Sequence, residues 1–212
     1  MKQPPAFPPR TRDLTRIALF VALMAACAWI TVPLPAPLEP FTMQTFAVFA
    51  ALLVLGGRRG TAAVTAYLLL GAAGAPVFSG FRGGAAVLLG VTGGYLLGFL
   101  VQALLYWLLT AQFGKPAQLT ASLLGLAVCY AFGTAWFLFV YARDGTPIGL
   151  AAALGSCVLP FLLPDLLKLA LALVLAKRLG TYLSSGTGCF FQVVRQRNPN
   201  RPLGVAARLH AF

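Results

Sequence analysis

An aspartate and a lysine stand three residues apart inside an otherwise apolar run, Leu159-Pro160-Phe161-Leu162-Leu163-Pro164-Asp165-Leu166-Leu167-Lys168-Leu169. At that spacing both side chains project from the same helix face. Ionisable groups deep in an apolar segment are costly, and they are kept where they pair or meet a ligand. A lysine offers three donors and a carboxylate offers only acceptors, so the pair can serve both sides of a polar solute. The same pair can also neutralise itself and staple its helix to a neighbour; the two readings are compatible. Pro160 and Pro164 predict an interrupted helix just before the pair, with freed carbonyls that only a protein interior or polar cavity can satisfy.

Other residues could line such a cavity. Thr42, Gln44 and Thr45 in Pro40-Phe41-Thr42-Met43-Gln44-Thr45 either cap a helix start or face a polar space. Glycines crowd Gly74-Ala75-Pro76-Val77-Phe78-Ser79-Gly80-Phe81-Arg82-Gly83-Gly84 and recur in Gly90-Val91-Thr92-Gly93-Gly94-Tyr95. The first stretch is longer than a helix connection needs, and such loops often act as lids. Gly90, Gly94 and Gly98 recur every four residues, which gives a smooth helix face for close packing. With Phe78, Phe81, Arg82 and Tyr95 nearby, a cap over a ligand is also open. Ala18, Ala22 and Ala26 form a small-residue stripe, read from sequence alone as a site of intramolecular packing.

The elements that must position these residues are membrane spans. Of 212 residues, 59% are hydrophobic and 9% are charged, with a mean hydropathy of +0.85. A soluble domain carries about 25% charged residues, and a core of this size could not hide so much apolar surface. The expected fold is an all-α integral membrane bundle of about six helices. They run roughly over 14–32, 41–55, 61–77, 85–109, 119–141 and 148–179. The second and third are at or below the length of a full crossing, which takes about 20 residues. Residues 1–13 are expected as a cytoplasmic segment, 14–180 as the bundle, and 181–212 as a basic, partly disordered cytoplasmic tail.

Net charge is +12. With both termini cytoplasmic, one side holds Lys2, Arg10, Arg12, Arg16, Arg58, Arg59, Lys115, Lys177, Arg178, Arg195, Arg197, Arg201 and Arg208. The other side holds only Arg82 and Arg143. That asymmetry follows the positive-inside rule. It points to the cytoplasmic face of a lipid bilayer and not to nucleic acid, because no basic face is interleaved with stacking aromatics.

Several chemistries are absent. Gly114-Lys115-Pro116 is no phosphate-binding loop. The single histidine, His210, lies in the tail, no two carboxylates share the spans, and no G-x-S-x-G occurs. Catalytic residues and metal ligands are therefore not expected. Cys27, Cys129, Cys157 and Cys189 form no C-x-x-C pair and read as small buried hydrophobes.

Three segments of the chain resemble the BioY family, the substrate-specific components of energy-coupling-factor (ECF) vitamin transporters. They are Phe41-Thr42-Met43-Gln44-Thr45-Phe46-Ala47-Val48, Gly74 to Phe99, and Pro164-Asp165-Leu166-Leu167-Lys168. With their spacing they cover most of residues 14–179. A departure is Val91, where the family usually carries proline. The resemblance implies a six-helix subunit in the plasma membrane that binds biotin near its outer face. Its contacts would be Asp165, Lys168, Gln44, Phe78, Arg82, Gly83, Gly84, Gly94 and Tyr95, with residues 78–84 as lid. It further implies partners: a transmembrane coupling protein docking on Ala18 and Ala22, and two ATPase subunits that use the ATP. No cofactor is expected on this chain. The rival readings are a subunit for another small vitamin-like molecule and an intramembrane lipid-modifying enzyme.

Overall fold

Long apolar runs broken by glycine, proline and charge dictate helices, and the computed structural model is built from them. It describes residues 9–32, 41–146 and 148–197, with residues 9, 10, 115 and 180–197 as backbone alone. The expectations for Lys2, Pro33, Pro35, Pro37, Glu39, Arg201, Arg208 and His210, and for the side chains of Arg10, Lys115, Cys189, Arg195 and Arg197, lie outside this description. Eight α-helices are present among the described residues: α1 (Pro9–Trp29), α2 (Gln44–Leu55), α3 (Gly57–Ala72), α4 (Ala85–Leu89), α5 (Gly93–Phe113), α6 (Gln118–Arg143), α7 (Leu150–Cys157) and α8 (Leu159–Arg197). The chain divides into two units, Met1–Ala176 and Lys177–Phe212. Of the second unit, the backbone is described as helix through Arg197.

Among the described residues, three stretches are long and apolar enough to cross a membrane: Gly93–Phe113, Gln118–Arg143 and Leu150–Leu179. Leu104, Leu108, Leu124, Phe139, Leu163, Leu167 and Leu171 are all exposed along these helices. Such a surface suits hydrocarbon and not water. The chain is an all-α integral membrane protein. Helix α2 has 12 residues and α3 has 16, both shorter than a full crossing. They meet at Gly56, whose φ of 80° is open to glycine at no steric cost.

The structure corrects three expected boundaries. The third helix stops at Ala72 and not Val77, because Gly74 takes a φ of 103° and the chain turns into the glycine-rich loop. The fourth is broken, since α4 ends at Leu89 and α5 begins at Gly93, with Gly90 between them extended. The sixth is broken at Val158, two residues before Pro160. Pro160 does not interrupt α8; it lies in the first turn, where a missing N–H costs nothing. Pro164 lies inside α8 and, lacking an N–H, donates no hydrogen bond to the Pro160 carbonyl.

Two ends of the bundle can be distinguished. At one, Arg59 at the start of α3 pairs with Asp13 of α1 at 2.9 Å. At the other, strand β1 (Thr31–Val32) after α1 pairs antiparallel with β2 (Phe41–Thr42) before α2, in the register Thr31–Thr42 and Val32–Phe41. The loop between α3 and α4 is fastened to this second end. Trp29 Nε1 donates to the Pro76 carbonyl at 2.9 Å, and the Trp29 and Phe81 rings stack at 4.9 Å. Thr31 and Ser79 share a hydroxyl hydrogen bond of 3.0 Å.

The core runs along α1, α2, α3, α5 and α6, with Met24, Phe49, Leu52, Val64, Tyr67 and Tyr106 fully buried. Helices α5 and α6 approach closely because glycines face bulky partners. A Cβ at Gly94 would collide with Trp136, and one at Gly133 would collide with the Tyr95 ring. Of the expected glycine stripe, Gly94 and Gly98 do pack against α6, but Gly90 precedes the helix. Ala18, Ala22 and Ala26 overturn the packing expectation: all three are exposed, while Phe20, Val21, Met24 and Ala25 of α1 face the core.

Candidate binding site

Asp165 and Lys168 sit on the second and third turns of α8, each only 5% exposed. Burial on this scale is tolerable only when every charge is met. Lys168 Nζ donates to Asp165 Oδ1 at 2.7 Å and to the Thr42 carbonyl at 2.7 Å, and it lies 4.2 Å from the centre of the Phe41 ring. Tyr130 of α6 donates its hydroxyl to Asp165 Oδ2 at 2.6 Å. The pair therefore ties α8 to β2 and to α6, so the staple exists. It also forms part of a cavity wall, so the staple and the ligand contact coincide.

The cavity lies at the end marked by β1, β2 and the loop. Thr42, Gln44 and Thr45 line it from the start of α2, and Phe78, Ser79 and Arg82 line it from the loop. Val87 of α4 and Thr92, Tyr95, Leu96 and Phe99 at the head of α5 form a further wall. Leu126, Cys129 and Tyr130 of α6, Cys157 of α7, and Phe161, Asp165 and Lys168 of α8 complete it. The lining is mostly apolar and aromatic, with the charged pair concentrated on α8. That composition suits a small organic molecule with one polar head.

Individual walls are fixed by packing. Gln44 Nε2 donates to the Tyr67 hydroxyl at 2.8 Å, and that hydroxyl donates to the Val77 carbonyl at 2.8 Å. This relay ties the start of α2 to the loop. Phe78, 1% exposed, meets Tyr67 edge-on at 5.5 Å and fills the space left by the missing side chain of Gly71. The Tyr95 hydroxyl shares a hydrogen bond of 3.2 Å with Thr134. The loop turns sharply at Gly80 and Phe81, both with positive φ, and Phe81 is the only non-glycine with positive φ among the described residues. A non-glycine residue held there is uncommon, and here the Trp29 stack holds it. Arg82 Nε donates back to the Ser79 carbonyl at 3.2 Å.

Of the expected contact residues, Asp165, Lys168, Gln44, Phe78, Arg82 and Tyr95 converge on this one cavity. Gly83, Gly84 and Gly94 do not line it. Gly83 packs against the Ala75 carbonyl, Gly84 N donates to Gly71 O at 2.7 Å, and Gly94 packs on Trp136. Thr42 and Gln44 do not cap α2: its N-cap is Met43, with no side-chain hydrogen bond. Tyr130, Phe99, Phe161 and Thr92 were not expected. Aromatics within an apolar run carry no sequence signal that tells an inward face from a lipid face. Cys27, Cys129 and Cys157 are buried, and among the described residues no cluster of potential metal ligands occurs.

A membrane-helix bundle with a mostly apolar cavity, a buried ion pair in its wall and a fastened loop at its mouth is a solute-binding membrane component. The BioY family profile matches residues 1–185, and the chain belongs to that family. It is similar to the biotin transporter BioY of Thermotoga maritima, at 43% identity over 79% of this chain and 95% of that one. A probable biotin transporter BioY of Pyrococcus horikoshii is 42% identical, over 80% and 97%. Among solved structures, the S-component for biotin from an ECF-type ABC transporter aligns with a TM-score of 0.72 and 26% identity, covering 84% of this chain and 95% of that one. The S component of a bacterial ECF transporter shares the fold at a TM-score of 0.59 and 14% identity, over 82% and 98%.

Proposed function

We propose that this chain is the biotin-binding subunit of an ECF-type importer in the plasma membrane, a transport component and not an enzyme. The observation that carries the reading is the buried Asp165–Lys168 pair in the wall of the cavity. Biotin presents a cyclic urea with two N–H donors and a carbonyl acceptor, a thioether ring and a carboxylate tail. Lys168 serves an acceptor, Asp165 accepts from N–H, and Tyr95, Phe99 and Phe161 hold the fused rings. Gln44, Phe78 and Arg82 complete the contacts. Gly83 and Gly84 act at one remove, by setting the course of the loop.

In this reading the six expected segments cross the membrane with both termini in the cytoplasm. The Asp13–Arg59 end faces inward, and the cavity end, with its loop as lid, faces outward. The basic residues then lie on the side the positive-inside rule requires. Residues 181–212 form a cytoplasmic extension attracted to anionic lipid. A transmembrane coupling protein docks on Ala18 and Ala22, and two ATPase subunits hydrolyse the ATP; this chain itself holds no cofactor. Titrating the purified protein with biotin is expected to give saturable binding of one molecule per chain. An absence of saturable heat at millimolar biotin would reject the assignment.

A further inference from the structure

The charged pair does not stand alone, because a third side chain completes it. Lys168 spends two of its three N–H groups, one on Asp165 Oδ1 and one on the Thr42 carbonyl. Tyr130 gives its only proton to Asp165 Oδ2 at 2.6 Å. The carboxylate is thereby gripped at both oxygens by donors from two helices, and its plane is fixed. All three side chains border the cavity.

We propose that Tyr130 is a positioning residue of the binding site: its hydroxyl locks the Asp165 carboxylate so that the remaining lone pairs meet ligand N–H groups. This rests on the biotin reading above. A carboxylate held only by Lys168 on one oxygen can swing about its χ2 bond, a broad and soft torsion. Fixing it in advance removes an ordering cost that binding would otherwise bear. With its proton committed, the Tyr130 oxygen can only accept from a ligand. The trio then offers one Lys168 N–H and several acceptor positions, with no net charge. That pattern complements a neutral head with more donors than acceptors, as a cyclic urea is.

The test uses Tyr130→Phe, which keeps the ring and removes the hydroxyl, with biotin as ligand and the purified full chain in detergent. Biotin affinity is expected to fall about tenfold, the size of one lost hydrogen bond to a charged group. In infrared spectra without ligand, the Asp165 carboxylate band, identified by its loss in Asp165→Asn, is expected to shift in Tyr130→Phe. A merely structural tyrosine elsewhere in the bundle would leave that band in place. Wild-type affinity in the variant, or an unmoved band, overturns the proposal while leaving the biotin reading intact. A wild-type chain that binds no biotin overturns both.

Discussion

Asp165→Asn and Lys168→Met are each expected to weaken biotin binding by about ten- to a hundredfold or more, since a hydrogen bond to a charged group contributes roughly 1.5–3 kcal/mol and 1.4 kcal/mol is about tenfold in affinity. The geometry separates this effect from simple loss of the staple. Either single change strands a buried charge: Asp165→Asn leaves the Lys168 ammonium with neutral partners alone, such as the Thr42 carbonyl and the Phe41 ring, and Lys168→Met leaves the carboxylate with only the neutral Tyr130 hydroxyl. A stranded charge in low dielectric is strongly destabilising, whereas removing both partners can be close to neutral. Thermal unfolding of the ligand-free double variant is therefore expected to lie nearer to wild type than that of either single variant. Its biotin affinity is expected to stay low, because the ligand's polar partners are gone. Calorimetry on the two singles and the double checks this. Near wild-type affinity in the double variant would make the pair a staple alone and move the polar contacts to Gln44 and Tyr95.

The second large effect belongs to the opposite face of the molecule's job. Ala18→Trp with Ala22→Trp is expected to abolish ATP-driven biotin uptake and leave biotin binding unchanged. Ala18, Ala22 and Ala26 are exposed on one side of α1, while Met24 and Ala28 pack inward with no exposed surface. Bulky side chains there would disturb no internal contact, but they would hold a partner helix away, since close helix approach requires small residues. Uptake by cells that also carry the coupling protein and ATPases, measured beside binding by the purified variant, separates the two roles. Capture of the coupling protein by the double variant at wild-type yield would contradict the docking assignment.

Much of this site was legible in the chain because charges inside an apolar run stand out. Asp165 and Lys168 could be found that way, and so could Gln44, Arg82 and the glycine-rich loop, as polar or turn-forming residues at span ends. Tyr130 could not, because its partner lies 35 residues away and only the packing of α6 on α8 brings them together. Hydropathy also hides helix breaks. The gap between α4 and α5 occurs inside a continuous apolar stretch, whereas the break at Val158 lies two residues before Pro160, one of the two prolines that suggested it. The alanine stripe shows the same limit from the other side. Small residues at helical spacing mark a place where helices can approach closely, but the pattern is identical whether the approaching helix is internal or belongs to another protein.

The most direct measurement is a crystal structure of the purified chain grown with biotin. A biotin molecule is expected inside the cavity, with polar atoms within hydrogen-bond distance of Asp165 and Lys168 and the loop of Phe78 and Arg82 closed over it. Biotin bound elsewhere on the bundle, with the Asp165–Lys168–Tyr130 contacts touching no ligand, would contradict it.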